Sequence, residues 1–341
     1  MLLKELSEAS GVSGGESEVR RLIKEAVEPY VDELKTDMLG NLIAFKSGSK
    51  KAPRLMLSAH MDEVGLIVAG FEESGLIRFS KVGGIDDRVL VSKTVLIGEK
   101  KIPGVIGAKA IHLQKPEERK KSLKVEELYI DIGAKSKEEA KKEVKLGDYV
   151  SYNTRYQEIG VNYAKGKAFD NRVGCALLIE ALKKEYTFPL YGVFTVQEEV
   201  GMRGAAVAAY RIRPDLALVI EGTTAADVIE LKEESYVTTL GKGPALTFMD
   251  TSVICDKKII ETLVELAEKE NIPIQFRRFT GANTDAGKIS LSREGVRSVV
   301  ISVPCRYIHN PVNILSLEDV KNTLKLIELF LDKLPEGGVC Q

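Results

Sequence analysis

The sequence predicts an α/β fold with a small all-β, barrel-like domain inserted near its start. Three observations carry that expectation. Runs at residues 54–59, 189–194, 216–220 and 299–303 are mostly apolar rather than alternating, as befits strands buried on both faces of a parallel sheet. Helical patterns lie between them, the clearest at residues 257–270, where Ile260, Leu263, Val264 and Ala267 share a face. From about residue 66 to 160 the texture changes to short β-rich runs broken by glycines, among them Gly70, Gly75, Gly98 and Gly104. The expected division is a catalytic domain from 1–66 and 161–341, split by a β insert at 67–160.

In chain order, residues 2–9 read as a first helix ended by Gly11. Residues 16–28 read as a second, with Val19, Leu22, Ile23 and Val27 inward, stopped by Pro29. Strands at 33–36 and 41–45 flank a turn at Gly40, and the first buried strand at 54–59 follows. The insert holds one helical pattern, 135–144, and a solvated Lys115–Lys121 charge run. After it come an apolar helix at 175–182, a strand to Phe194, a helix after Gly204 and a strand to Ile220. A short helix opens at Thr284-Asp285-Ala286-Gly287, and a last one spans 317–334. Ser316 is its N-cap, and Glu318 and Asp319 suit the helix dipole.

Composition narrows the function. With 341 residues and 44% hydrophobic content, the chain can bury a large core without disulfides. A net charge of −1 gives no electrostatic case for nucleic acid or an anionic membrane surface. Cys175, Cys255, Cys305 and Cys340 are scattered, with no Cys-x-x-Cys pair, and read as ordinary intracellular thiols. The N-terminus is amphipathic and acidic in part, without the apolar core of a signal peptide. No run approaches the roughly eighteen apolar residues of a membrane span. The expected compartment is the cytoplasm.

Chemistry gathers where the apolar strands stop. His60, Asp62, Glu198, Glu199, Glu221 and His309 all follow such runs, and Asp170 opens an apolar helix. In an open α/β sheet those ends converge on the edge that takes ligands. The chain has 3 histidines, and 2 of them stand here. A nitrogen–oxygen set of this kind suits Zn²⁺, Co²⁺ or Mn²⁺, and carboxylates that bridge make a two-ion site natural. The absence of cysteine from the set argues against a structural zinc. Glu198 and Glu199 are adjacent, so in an extended segment they point apart: one suits a metal, the other a water or substrate as base. Each residue has an ordinary alternative. Asp170 is also a possible helix cap, Glu221 a loop carboxylate, and Glu198-Glu199 a solvated pair. His112 reads as surface or interface. Gly83-Gly84 and Gly241-Lys242-Gly243 lack phosphate-loop spacing, and Ser58 and Ser252 lack a nucleophile-elbow context.

Five motifs in order, Ala59-His60-Met61-Asp62-Glu63-Val64-Gly65, Ala168-Phe169-Asp170-Asn171-Arg172, Gln197-Glu198-Glu199-Val200-Gly201, Asn283-Thr284-Asp285-Ala286 and Arg306-Tyr307-Ile308-His309, carry a resemblance over essentially the whole chain. The sequence resembles the di-metal, tetrahedral-particle aminopeptidases of metallopeptidase family 42, also described as glutamyl or deblocking aminopeptidases and sometimes as endoglucanases. The resemblance implies a phosphorylase/hydrolase-like mixed-sheet catalytic domain and two divalent ions per subunit, Zn²⁺ or Co²⁺. It implies that His60, Asp170 and Glu221 hold one ion and Asp170, Glu199 and His309 the other, with Glu198 as general base and Asp62 orienting His60. The family often has Asp where this chain has Glu221. Short peptides would be the substrates, and the β insert would pair subunits that assemble into a hollow dodecamer. Two rivals are a glycan hydrolase, in line with the endoglucanase label, and a non-catalytic metal-binding assembly protein. Loops around 250 and 275–290 are the expected pocket walls, where Arg277 and Arg278 either select acidic side chains or are solvated charges.

Overall fold

The computed structural model describes residues 1–341 except 51, 230 and 335–341. Two helices open the chain, α1 (Leu3–Glu8) and α2 (Ser17–Val27), burying Leu3, Leu6, Val19, Ile23 and Val27. Strands β1 (Glu33–Thr36), β2 (Leu42–Lys46) and β3 (Leu55–His60) follow, and all of β3 is buried. The chain then leaves the sheet to build β4 (Gly65–Phe71), β5 (Ile77–Val82), β6 (Thr94–Ile97), β7 (Ile102–Gly107), β8 (Tyr129–Asp131), α3 (Lys137–Glu143) and β9 (Tyr149–Tyr152). These six strands close into an antiparallel barrel in the order β4-β5-β8-β7-β6-β9. Its interior is a separate core of Leu66, Ile77, Val95, Ile106, Ile130 and Val150. Closure leaves no unpaired edge, so strands of three to seven residues suffice.

The return path is β10 (Gln157–Ile159), β11 (Tyr163–Gly166), α4 (Phe169–Lys183), β12 (Leu190–Thr195), α5 (Arg203–Ile212) and β13 (Leu216–Thr224). Then come β14 (Ala245–Thr247), α6 (Lys257–Lys269), β15 (Gln275–Phe276), α7 (Asp285–Ser290), β16 (Arg297–Arg306), β17 (Asn313–Ser316) and α8 (Leu317–Lys333). The 11-stranded sheet runs β1-β2-β12-β3-β13-β16-β17-β11-β10, with β14 on β16 and β15 on β14. Its centre is parallel, β12 pairing with β3, β3 with β13 and β13 with β16, as is the short outlying pair of β14 and β15. Helices α4 and α8 pack as one layer, while α5 and α7 pack together and against β12, β13 and β16. Those layers explain why the central strands are apolar on both sides.

The fold is the expected mixed α/β architecture with a β-barrel insert, and the differences are local. Strand β13 does not stop at Ile220 but continues through Glu221 to Thr224, because it stays paired with β16 along that length. Helix α4 begins at Phe169 rather than Cys175, and its first turn is irregular: Asp170 (φ −85°, ψ 103°) and Asn171 (φ −126°, ψ 42°) depart from helical geometry. Ser316 caps α8 as expected, its hydroxyl accepting from the Asp319 N–H at 3.2 Å. Cys175, Cys255 and Cys305 are buried free thiols, and Cys340 lies outside the described residues. Among the described residues no helix is long and apolar enough to cross a membrane.

Candidate metal centre

The carboxyl ends of the parallel strands bring the seven expected residues to one place. His60 is the last residue of β3, and Asp62 follows it. Glu198 and Glu199 lie in the turn between β12 and α5, Glu221 within β13, Asp170 in the first turn of α4, and His309 just beyond β16. His60 Nε2 lies 3.2 Å from Asp170 Oδ1 and 3.5 Å from Glu221 Oε2. On the other side, His309 Nε2 lies 3.1 Å from Glu199 Oε2 and 3.7 Å from Asp170 Oδ2. Two potential ligand sets result, His60–Asp170–Glu221 and Asp170–Glu199–His309, each with its donor atoms within 4.8 Å of one another. Asp170 belongs to both. His60, Glu198 and Glu199 also meet that distance, but the two sets sharing Asp170 use every histidine of the site and leave Glu198 over.

Both glutamates of the adjacent pair line the same cleft, of about 490 Å³. The expectation that they point apart holds for an extended segment, whereas here they sit in a turn entered through Gln197 at φ +56°. Asp62 fixes that turn. Its Oδ1 accepts from the Glu198 N–H at 3.0 Å and its Oδ2 from the Glu199 N–H at 3.1 Å. The same carboxylate faces His60 Nδ1 at 3.4 Å and takes a hydrogen bond from Ser13 Oγ at 2.6 Å. One buried acid thus ties the His60 ring to the two glutamates.

The electrostatics are those of an unfinished charge cluster. Burial, together with Glu199, Asp285 and Glu221, holds the Glu198 carboxyl well above its ordinary value despite His60. Burial and neighbouring acids also raise Glu221 and Glu199. Burial would lower His60, but Asp170, Asp62 and Glu221 outweigh it and push its pKa well above the ordinary value. Burial likewise opposes protonation of His309, yet Glu199 and Asp170 lift it to about 9. Asp62 is held below its ordinary value: burial raises it, but His60, Ser13 and the Glu198 N–H more than compensate. Glu221 Oε1 is buried with no hydrogen-bond partner. Carboxylates crowded together, one oxygen orphaned, and two histidines aimed at them form a donor set that a pair of divalent cations fits.

Residues that sequence reasoning did not single out complete the arrangement. Asn171 donates to Glu221 Oε2 at 2.8 Å and to the Ile220 carbonyl at 2.7 Å. Its signal was its place beside Asp170. Gly222 is required by close approach, since a Cβ there would stand 3.0 Å from Asp170 Cα. Asp285, buried beneath the cleft, accepts from Thr195 Oγ1 at 2.5 Å, and burial raises its pKa to about 6. Gly83 and Gly84, read as a plain turn, bring the barrel's edge against Glu199 and His309. Residues 281–284 and Arg277 line the cleft, as the 275–290 loop was expected to. Position 250 acts from behind, with Asp250 Oδ2 accepting from Thr284 Oγ1 at 3.0 Å. His112 is exposed on the barrel, away from the cleft.

A profile of the M42 glutamyl aminopeptidase family matches residues 40–326. The chain belongs to this family. Among solved structures, the TET aminopeptidase of the marine sediment archaeon Thaumarchaeota archaeon SCGC AB-539-E09 superposes with a TM-score of 0.95 at 39% identity, covering 99% of this chain and 97% of that one. A Thermotoga maritima protein described as an endoglucanase gives 0.82 at 42% identity, covering 99% and 98%. The TET1 peptidase of Pyrococcus horikoshii, which assembles into a tetrahedron or a large octahedral shell, gives 0.86 at 34% identity, covering 97% and 98%. As a member of the M42 family, the chain is an aminopeptidase, a hydrolase of peptide bonds.

Proposed function

We propose that this aminopeptidase removes the N-terminal residue of short peptides with two divalent ions, and that Glu198 is its general base. One observation carries the assignment. Of the four acids in the cleft, Glu198 is the one that two ligand sets sharing Asp170 do not need, and it stands half-buried beside both. His60, Asp170 and Glu221 would hold one ion and Asp170, Glu199 and His309 the other. Bound there, the ions supply Lewis acidity for activating a water and polarising the peptide carbonyl. Glu198 takes the proton from the attacking water and returns it to the leaving amine. Asp62 acts as a positioning residue, holding the His60 ring and the Glu198 backbone in one frame. Zn²⁺ or Co²⁺ suits the nitrogen–oxygen donors. We assign the insert, residues 67–160, to subunit pairing in a dodecamer, supported by the dodecameric form of the related PhTET1, and place the enzyme in the cytoplasm.

The test is release of p-nitroaniline from a panel of aminoacyl-p-nitroanilides. The enzyme loaded with Co²⁺ or Zn²⁺ is expected to turn over, and chelation to abolish turnover. Glu198→Gln should lose on the order of 10²- to 10⁴-fold in kcat with its metal retained. No release from any anilide by metal-loaded enzyme would overturn the assignment and direct attention to glycans.

A further inference from the structure

The loop between α1 and α2 holds a buried acid that belongs neither to the ligand sets nor to the frame around Asp62. Glu16 follows Gly14-Gly15 and stands directly before α2. A glutamate is almost never fully buried unless something pairs with it, yet Glu16 is 4% exposed. Its side chain makes no cap to α2. Instead, Glu16 Oε1 accepts from the Gly14 N–H at 2.7 Å and, from a distant part of the chain, from the Gln197 N–H at 3.3 Å.

That second bond completes a row. Strand β12 ends at Thr195, whose carbonyl accepts from the Met61 N–H at 2.7 Å. The next four N–H groups all turn to side chains. Val196 donates to Asn41 Oδ1 at 3.0 Å, Gln197 to Glu16, and Glu198 and Glu199 to the two oxygens of Asp62. Gln197 sits at φ +56°, a left-handed conformation that persists in a residue with a Cβ only where the surroundings impose it. Glu16 is the side chain that holds the N–H of that residue.

The mount of Glu16 is firm, because its loop is wedged between the β3 exit and the barrel. Ser13 bonds to Asp62 and to Glu63, and Ser10 Oγ lies 2.8 Å from Ser151 Oγ of β9. Gly14 (φ +91°) approaches the barrel so closely that a Cβ there would stand 2.3 Å from the Tyr149 hydroxyl. Glu198 depends on this mount more than Glu199 does. The Glu199 carboxylate has His309 beside it and a place in a ligand set. Glu198 is left out of both sets sharing Asp170, so its aim follows from the backbone that carries it.

We propose that Glu16 is a positioning residue for the general base: by holding the Gln197 N–H, it sets the backbone from which Glu198 reaches the attacking water. The inference rests on the aminopeptidase reading above and adds to it a residue of the N-terminal loop.

The experiment compares Glu16→Met, Glu16→Asp and Glu16→Gln with the wild type. It reads kcat and KM on the p-nitroanilide that the wild type cleaves best, metal affinity by titration against a chelator, and urea unfolding of the metal-free proteins. Glu16→Met keeps the length and loses the acceptor, while Glu16→Asp keeps the charge and falls short of Gln197. Both should lose about 10- to 100-fold in kcat, the scale expected when a reacting group is misplaced by about an ångström. KM and metal affinity should stay close to wild type. Glu16→Gln keeps Oε1 as an acceptor and should recover most of the loss without the charge. Wild-type kcat in Glu16→Met and Glu16→Asp would overturn the proposal. So would metal affinity falling in step with kcat, which would make Glu16 a support of the ligand frame as Asp62 is. A Glu16→Gln variant as slow as Glu16→Met would overturn it as well, since the charge and not the bond to Gln197 would then matter. Should Glu16→Met fail to fold, Glu16→Asp carries the test, because Asp is well suited to the residue before a helix. Failure of the metal-loaded wild type on every anilide would instead overturn the underlying activity, and it is told apart by needing no variant.

Discussion

Two charge clusters, one buried and one open to the cleft, adjoin one another at the exit of β3, and they are built on opposite plans. In the first, Glu63 is held by Lys167 Nζ at 2.6 and 2.7 Å, by Arg172 Nη2 at 3.1 Å and by the Gly11 N–H at 3.0 Å. The cations are satisfied in turn by carbonyls: Lys167 donates to Ala9, and Arg172 to Met61 and Leu6. In the second, four acids and two histidines face one cleft, the carboxyls of Glu198, Glu199 and Glu221 are driven above their ordinary pKa, and Glu221 keeps an unpartnered oxygen. Residues 60–63 and 167–172 serve both clusters. The difference teaches what each is for. A cluster completed by the chain's own cations is scaffold, locking α1 and α4 around the loop that carries Asp62. A cluster left short of positive charge is a place for cations from outside.

The sharpest way to break this comparison is to make the same substitution in both. Glu63→Gln strands Lys167 and Arg172 in the interior, and removing one partner of a buried pair costs about 3–5 kcal/mol. Glu221→Gln removes a charge whose facing cation, His60, is shared with Asp170 and Asp62. Urea unfolding of the metal-free proteins should show the large loss for Glu63→Gln and none for Glu221→Gln, with metal affinity falling in Glu221→Gln. Equal losses in the two metal-free variants would mean that the catalytic cluster, too, is complete without metal.

Asp62→Asn probes the link between the clusters. The amide keeps one acceptor and turns the other into a donor that confronts the Glu199 N–H or the Ser13 hydroxyl. It also removes the charge facing His60. Partners behind metal ligands are typically worth 10- to 100-fold in affinity, so titration against a chelator should show a loss of about that size. A variant that binds metal as the wild type does would show that the ligand set is positioned without Asp62.

How much of this could be read from the sequence follows from where each signal resides. Strands β3, β12, β13 and β16 are legible because burial on both faces forces mostly apolar runs. Most of the candidate ligand residues are legible because histidines and acids stand at the ends of those runs, and Asp170 because it opens an apolar helix. The barrel is legible as texture only: β8 sits between β5 and β7 in the closed order, and nothing local specifies that. Glu221 was placed at a strand end because strands normally stop at charge, whereas β13 carries its acid inside the paired region. Ser13, Asn171 and Gly222 matter through contacts to residues distant in the chain or through space left empty, and neither leaves a pattern in composition or period. Arg277 and Arg278 are equivalent on paper, and only the register of β15 tells them apart.

The smallest effect tests how far the frame around Asp62 extends. Ser13 lies in the loop after α1 and is joined to the β3 exit twice: its hydroxyl donates to Asp62 Oδ2, and its N–H donates to the Glu63 carbonyl at 3.3 Å. Ser13→Ala cuts the first link and keeps the second, so the loop stays in place beside Glu63. Asp62 Oδ2 keeps its bond from the Glu199 N–H, and Oδ1 keeps its bond from Glu198. One of three donors is lost, and Ser13 is not among the proposed metal ligands. The expected result is roughly a threefold loss of metal affinity, well short of that for removing the carboxylate itself, with urea stability far closer to wild type than Glu63→Gln. A loss matching Asp62→Asn would place the decisive contact in the hydroxyl rather than in the glutamate backbone. A stability loss matching Glu63→Gln would mean that the scaffold cluster depends on this loop as much as on its ions.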